Sequence, residues 1–402
     1  MARSSAEPTE ASSAETKNRR WNIALYATVS FLFWTGLYLY VPTLPTYVKA
    51  KSDTLAQVGL VLSMYGLWQG IIRLPLGIAA DWLGWRKPFI LLGLATVGLG
   101  AWLLSTSQTV SALIVGRAIT GLGAGTWVLI IVSFGSLFPP GEVVRATAMV
   151  TLFGAVGRAF VTATTGWLNE LGGYSLPFLL AVGSATLAFF LILPAGEKRS
   201  PRRQPSLGSV TRLISRRDIL LPALLNAFLQ YGNYTATMSF LPVLAKELGA
   251  TDVALGLLLS LNMGVAALGN LTVTTIVKRV GARRLVYLAF LALLLGLGGA
   301  SLAPTIPWVY VSQCFIGLAF GIGYPTLMGL SIQHVEGKER STALGLHQAV
   351  YSVGMFAGPW LSGMLADALG LRPMFAITGV LCSSIGIYVA SRLAQREETS
   401  SP

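Results

Sequence analysis

Arg73, Arg117 and Arg158 each stand inside a long apolar run of this 402-residue chain. At 1.5 Å per helical residue, Arg73 lies roughly 12 Å from the end of its run. Arg158, well beyond Arg145 on the next charged stretch, lies roughly 20 Å in. One arginine at mid-depth in hydrocarbon costs roughly 2.5–3.5 kcal/mol, so three cost on the order of 8–10 kcal/mol unless they meet water, carbonyl oxygens or anions. No carboxylate stands mid-run, because Asp81, Glu142, Glu170, Asp252, Glu339 and Asp367 all fall at run ends or in connectors. The planar guanidinium fork suits carboxylate and phosphate. The chemistry indicated is therefore recognition of an anion, with Arg73 and Arg117 as the main contacts. Tyr65 and Gln69 fall on the same helical face as Arg73, while Trp34 and Tyr38 in the first run either cover a ligand or pack.

The later part of the chain carries neutral polar groups instead. Asn226, Gln230, Asn233 and Thr237 recur every three to four residues, a polar stripe on one helical face. Tyr231 and Tyr234 flank it, and Gly232 offers a place for the helix to break. Asn262 and Asn270 stand at an offset of 197 from Tyr65 and Arg73, and Gln313 stands opposite Arg117 at an offset of 196. His347, with Gln348 and Tyr351, is the one mid-run group that titrates near neutral pH, so it is either a proton site or a satisfied polar residue. The glycine run Gly121–Gly125 follows no strand, which removes a nucleotide-binding reading; its spacing suits close helix packing. No metal-ligand cluster and no nucleophile–base pair stands out, so no enzyme activity and no cofactor is expected.

The elements that must hold these residues are membrane helices. The chain is 53% hydrophobic and 11% charged, against about 25% charged in soluble domains. Twelve stretches are long enough to cross roughly 30 Å of hydrocarbon. They lie near 22–47, 56–80, 88–106, 109–134, 143–168, 174–194, 219–245, 253–277, 285–303, 306–334, 341–365 and 373–391. The net charge of +13 is distributed as topology demands and not as a nucleic-acid surface. With both termini cytoplasmic, the inner side carries most of the Lys and Arg, and only Lys49, Lys51, Lys246 and Arg372 lie outside. Residues 1–20 read as a disordered cytoplasmic tail, not a cleavable leader. The stretch 196–218 reads as a basic cytoplasmic linker between bundles 21–195 and 219–392, and 393–402 as a second tail. Cys314 and Cys382 both lie inside runs, so no disulfide framework is expected.

The halves repeat. Residues 77–87 align with 274–284, 117–125 with 313–321, 145–149 with 340–344 and 166–173 with 363–370, all at nearly one offset. Parallel halves around a midplane site are one way to build an alternating-access carrier.

On these residues the chain resembles the major facilitator superfamily, bacterial type, along essentially its whole length. The specific match is the connector after the second span, where the family pattern G-x-x-x-D-(R/K)-x-G-(R/K)-(R/K) is met by Gly77, Asp81, Gly84, Arg86 and Lys87; Trp82 and Trp85 replace two basic positions. Arg117 matches the family's helix 4 arginine. The helix 5 Gly-Pro pair typical of its drug antiporters is missing, and Gly358-Pro359 stand in the eleventh span instead. The resemblance implies an all-α membrane protein of twelve helices in two pseudo-symmetric six-helix bundles. It also implies a secondary carrier; the unpaired arginines make a small organic or inorganic anion the expected cargo, with a proton-coupled drug or metabolite exporter as the alternative. The carrier is expected to work as a monomer in the cytoplasmic (inner) membrane, with membrane lipids around it and protons as a possible coupling ion. By the same resemblance the connector would latch the two halves on the cytoplasmic side when the carrier opens outward, Asp81 facing the helix start near Ser341 and Thr342 with Arg86, Lys87 and Arg145 around it.

Overall fold

The computed structural model describes residues 10–197, 212–336 and 339–393, the side chains of 10–17, 140, 144 and 341 apart. The expected tails fall outside these residues in part, as do most of the linker and the side chain of Ser341.

Every regular element among the described residues is a helix. The long ones are α1 (Glu10–Tyr38), α2 (Leu55–Leu83), α3 (Lys87–Thr106), α4 (Val110–Gly125, continued by Trp127–Gly135), α5 (Val143–Gly172) and α6 (Ser175–Ile192). The second set is α7 (Arg217–Thr235), α8 (Asp252–Val280), α9 (Ala282–Leu302), α10 (Ile306–Ile332), α11 (Arg340–Leu369) and α12 (Leu371–Ser391). Nine of these, among the described residues, are long and apolar enough to cross a membrane. The remaining three, α1, α7 and α11, stand where spans 1, 7 and 11 are expected. They carry Asn, Gln, Ser, Thr and His among their apolar residues, and that polarity lowers their hydropathy.

Local chemistry sets the ends. Thr54, Thr109 and Thr251 cap α2, α4 and α8, each side chain accepting from the N–H three residues on. Gly84 closes α2 in the left-handed region, φ 72°, where a side chain would be strained. Helix α1 begins at Glu10, inside the stretch expected to be a disordered tail. Extending a helix that already exists adds one hydrogen bond per residue fixed, and the Ala and Glu there are good helix formers. In the linker, Leu213 is fully buried with Ile219, Val335 and Ala343.

The packing repeats as the sequence does. In the first half α1 packs on α5 and α6, α3 on α4 and α6, and α2 on α4. The second half reproduces each pairing six helices later: α7 on α11 and α12, α9 on α10 and α12, α8 on α10. Two helix pairs join the halves, α2 with α11 and α5 with α8.

The alternation of helices places the start of α1, the end of α12 and the connector after α2 at one end, here called the basic end for Arg86 and Lys87 there. The halves close at the other end. A Cβ on Gly59 would lie 2.1 Å from the Pro359 carbonyl oxygen, one on Gly66 2.6 Å from Met355 and one on Gly70 2.1 Å from Ser352. Two turns further toward the basic end, a Cβ on Gly77 would have no atom within 4 Å. The other pair behaves alike, with Gly166 tight against Val253 and Gly256 against Thr162, but open space around Gly264. The halves are therefore joined at the opposite end and part toward the basic end.

Candidate functional site

The arginines come together where the halves part. Gly121 of α4 sits against the Tyr65 backbone of α2, where a Cβ would lie 2.7 Å from the Tyr65 carbonyl oxygen. One turn before Gly121, this contact lays Arg117 over the Tyr65 ring, 4.3 Å from guanidinium carbon to centroid. Gly154 and Gly157 of α5 do the same against Trp34 and Phe31 of α1, and Arg158 stacks on Trp34 at 4.2 Å and Tyr38 at 5.8 Å. Arg73 crosses between halves: its Nη1 donates to the Tyr351 hydroxyl at 2.8 Å. Tyr351 stands edge-on to Tyr324. Tyr65 lies within electrostatic reach of Arg73 and Arg117, and Tyr38 of Arg117 and Arg158, so the three cations share one aromatic-lined space.

None of the three takes part in the ion pairs among the described residues, which all lie at helix ends and connectors. Arg73 Nε, Arg117 Nε and Arg117 Nη1 are buried without a hydrogen-bond partner, as is Trp34 Nε1. Stacking a cation on a ring contributes about 0.5–2 kcal/mol, against roughly 2.5–3.5 kcal/mol for each arginine held at mid-depth. The rings offset only part of the cost. Gln69 is buried beside Arg73 on α2.

The polar stripe on α7 divides. Its ends serve the second half itself. Asn226 Nδ2 meets His347 Nε2 at 2.8 Å, and Ser331 Oγ meets His347 Nδ1 at 2.6 Å. Ser331 then donates to the Ile219 carbonyl. Thr237 donates to Gln313 Oε1 and accepts from Asn262 Nδ2. Between these ends, Gln230 and Asn233 are buried, and their side-chain oxygens have no partner. Tyr234 lies off the stripe yet within electrostatic reach of Tyr38, Tyr65, Tyr351 and Arg117. Asn270 is exposed, so it does not reproduce Arg73 in the second half.

Gly232 does not break α7; it fits against Leu293, 2.9 Å from a Cβ placed there. The break follows Thr235, where Ala236–Phe240 wind as a π-turn. Pro242 supplies the reason, since it has no N–H to give and its ring crowds the carbonyl four residues back.

The expected latch is not assembled. Asp81 is exposed and its ion pair is with Arg86 of the same connector, at 3.9 Å. The Arg86 and Lys87 N–H groups donate to Glu197, and Lys87 Nζ to the carbonyls of Leu193 and Ala195. These bases thus tie the start of α3 to the end of α6. Arg145 is exposed and Thr342 half-buried. Sequence reasoning missed Glu197, Tyr324 and Ser331, each of which acts only through a helix distant in the chain.

Among the described residues no group of acidic, His and Cys side chains could hold a metal ion.

The family model of the Major Facilitator Superfamily matches residues 26–226 and 223–402. The chain is 21% identical to an uncharacterised MFS-type transporter of Methanocaldococcus jannaschii, over 91% of this chain and 96% of that one. It is 24% identical to multidrug resistance protein 1 of Bacillus subtilis, over 94% and 97%. Among solved structures it superposes with a TM-score of 0.78 on an inward-facing, unoccupied bacterial homologue of the human lysosomal transporter Spinster, at 15% identity, covering 96% of this chain and 99% of that one. That last likeness is one of fold. The matched family model spans both halves, the helices pair as a twofold repeat, and the arginines gather between them: this chain belongs to the major facilitator superfamily, and it is a multi-pass membrane transporter.

Proposed function

We propose that this transporter carries a small organic anion with an apolar or aromatic body, as a secondary active carrier working by alternating access. The observation that carries the reading is the set of three central guanidiniums, each on an aromatic ring and none beside a carboxylate. A bound carboxylate would supply the missing counter-charge and acceptors for the unpaired Arg73 and Arg117 N–H groups. The surrounding tyrosines and Trp34 would pack its body. By the positive-inside rule the basic end faces the cytoplasm, with both termini there, in the cytoplasmic membrane. The halves would rock about the α2–α11 and α5–α8 seams, carrying the site from one side to the other. The coupling ion of this proposal is the proton, with His347 as its site.

The test is counterflow in proteoliposomes with a panel of organic anions, inorganic anions and cationic drugs. Organic anions should exchange, and Arg73→Gln should abolish that exchange with purified yield unchanged. Undiminished exchange in R73Q would reject the assignment. Export of drugs is the second reading, favoured by the likeness to a protein named for multidrug resistance. Exchange confined to cationic compounds would replace the first reading with it.

A further inference from the structure

The connector motif of α2 has a second copy at the far end of α11. Residues 77–86 read G-I-A-A-D-W-L-G-W-R and residues 363–372 read G-M-L-A-D-A-L-G-L-R, so glycine, alanine, aspartate, leucine, glycine and arginine recur in register. The two copies share local structure. Asp81 and Asp367 each stand in the last turn of their helix, three residues before a left-handed glycine, Gly84 at φ 72° and Gly370 at φ 90°. The Gly84 N–H bonds Ala80 O at 2.9 Å and the Gly370 N–H bonds Ala366 O at 2.8 Å.

Their situations differ in one respect. The α11 copy is docked: Asp367 accepts from the N–H groups of Leu55 at 2.6 Å and Ala56 at 2.8 Å, two first-turn donors of α2 that have no partner within their own helix. Gly363 makes the approach possible, since a Cβ there would lie 2.5 Å from the Leu55 carbonyl oxygen. Arg372 leaves its aspartate and donates to the Ser301 carbonyl. The α2 copy is undocked: Gly77 has open space, Asp81 is exposed and Arg86 is its ion-pair partner. The first turn of α11, Arg340–Thr342, is the matching target, and its N-cap Glu339 makes no side-chain cap.

We infer that Asp367, docked on the start of α2, is the opposite-end counterpart of the latch that the family resemblance implies for Asp81 on the start of α11, and that only one of the two is engaged in each state. The two helices run antiparallel and pack from the opposite end to beyond Gly70, so each has its carboxylate-bearing end on the same side as the positively charged beginning of the other. Rocking that parts one end closes the other, and each docked aspartate holds the closed end. Asp367 is thus a positioning residue of the gate at the opposite end. The α5–α8 seam lacks the device in this form: Glu170, the repeat counterpart of Asp367, is exposed, and Asn169 bonds Asp252 instead.

The inference rests on the alternating-access reading. It is tested by spin-label distances in liposomes, on a background with Cys314 and Cys382 replaced by alanine. Labels at positions 83 and 340 report the basic end, and labels at 53 and 369 the opposite end. Asp367→Asn should shift the population about two- to fivefold toward an open opposite end, the range expected for an exposed charge at a helix start. Adding Asp81→Asn should reverse that shift. Gly363→Ala and Gly77→Ala form an independent pair: G363A should prop the opposite end open, and G77A added to it should restore the balance. An unmoved distribution in both D367N and G363A, or an added basic-end substitution that deepens the shift, would overturn the inference. A wild-type protein locked in one conformation with substrate present would instead overturn alternating access itself.

Discussion

At the scale of the residue, the decisive balance is between the cost of a buried guanidinium and what its neighbours return. A ring beneath Arg117 returns about 0.5–2 kcal/mol and leaves its Nε and Nη1 N–H groups without acceptors. An incoming carboxylate answers both deficits, which is why the arginines and not the polar stripe anchor the proposal. His347 joins the same logic at one remove. Its ring is fully buried, edge-on to Tyr351, and Tyr351 holds Arg73. To be a cation it must donate from both nitrogens. Ser331 can accept from Nδ1, and Asn226 can accept from Nε2 by turning toward it the side-chain oxygen that now lacks a partner. An anion near Arg73 would offset some of the charge repulsion that opposes this protonation, which couples the two. The expected outcome in His347→Gln is loss of stimulation by an inward proton gradient while gradient-free counterflow persists. Stimulation equal to wild type would remove the proton from the account. The arginines were legible from the sequence because charge within an apolar run is conspicuous. Their ring partners were not, since Tyr351 is 278 positions from Arg73 and no local spacing joins them.

At the scale of the element, close helix approach is what aims the side chains. Gly154 lies against Trp34, 2.5 Å from a Cβ placed there, and Trp34 is the platform under Arg158. Gly154→Ala should displace the indole and raise the KM for the transported anion several-fold, with overpacking destabilising the protein by about 1–3 kcal/mol. Gly183→Ala, in open space, should change neither. A KM in G154A equal to wild type would separate Arg158 from the site. Glycine-rich spans announced close packing in the sequence, but not which neighbour each glycine meets. The break in α7 was expected at Gly232 and lies at Ala236–Phe240, because a proline further along removes a hydrogen bond where glycine only permits flexibility. The early start of α1 escaped notice since polar composition says little about whether a helix, once begun, continues.

At the scale of the whole molecule, twofold architecture was the most legible feature. Four internal matches at nearly one offset sufficed, and each helix pairing of the first half recurs in the second. The conformation was not legible, because repeats and composition say which helices pair and not which end of the two halves is parted. All twelve expected spans could be marked in the sequence, although only nine of the described helices are apolar enough to cross a membrane on length and composition alone, since α1, α7 and α11 are the most polar. The asymmetry between halves, cationic on one side and amide-rich on the other, is what the proposed preference for an anion rests on.

The most direct test of that preference is thermal unfolding of the purified transporter against aromatic carboxylates and cationic drugs of matched size. A ligand at a hundred times its Kd stabilises by about 2.7 kcal/mol, enough to raise the Tm by several degrees. The carboxylates should produce that rise in the wild type and lose it in Arg117→Gln, with the cationic drugs inert in both. A rise produced by the cationic drugs alone would contradict the account.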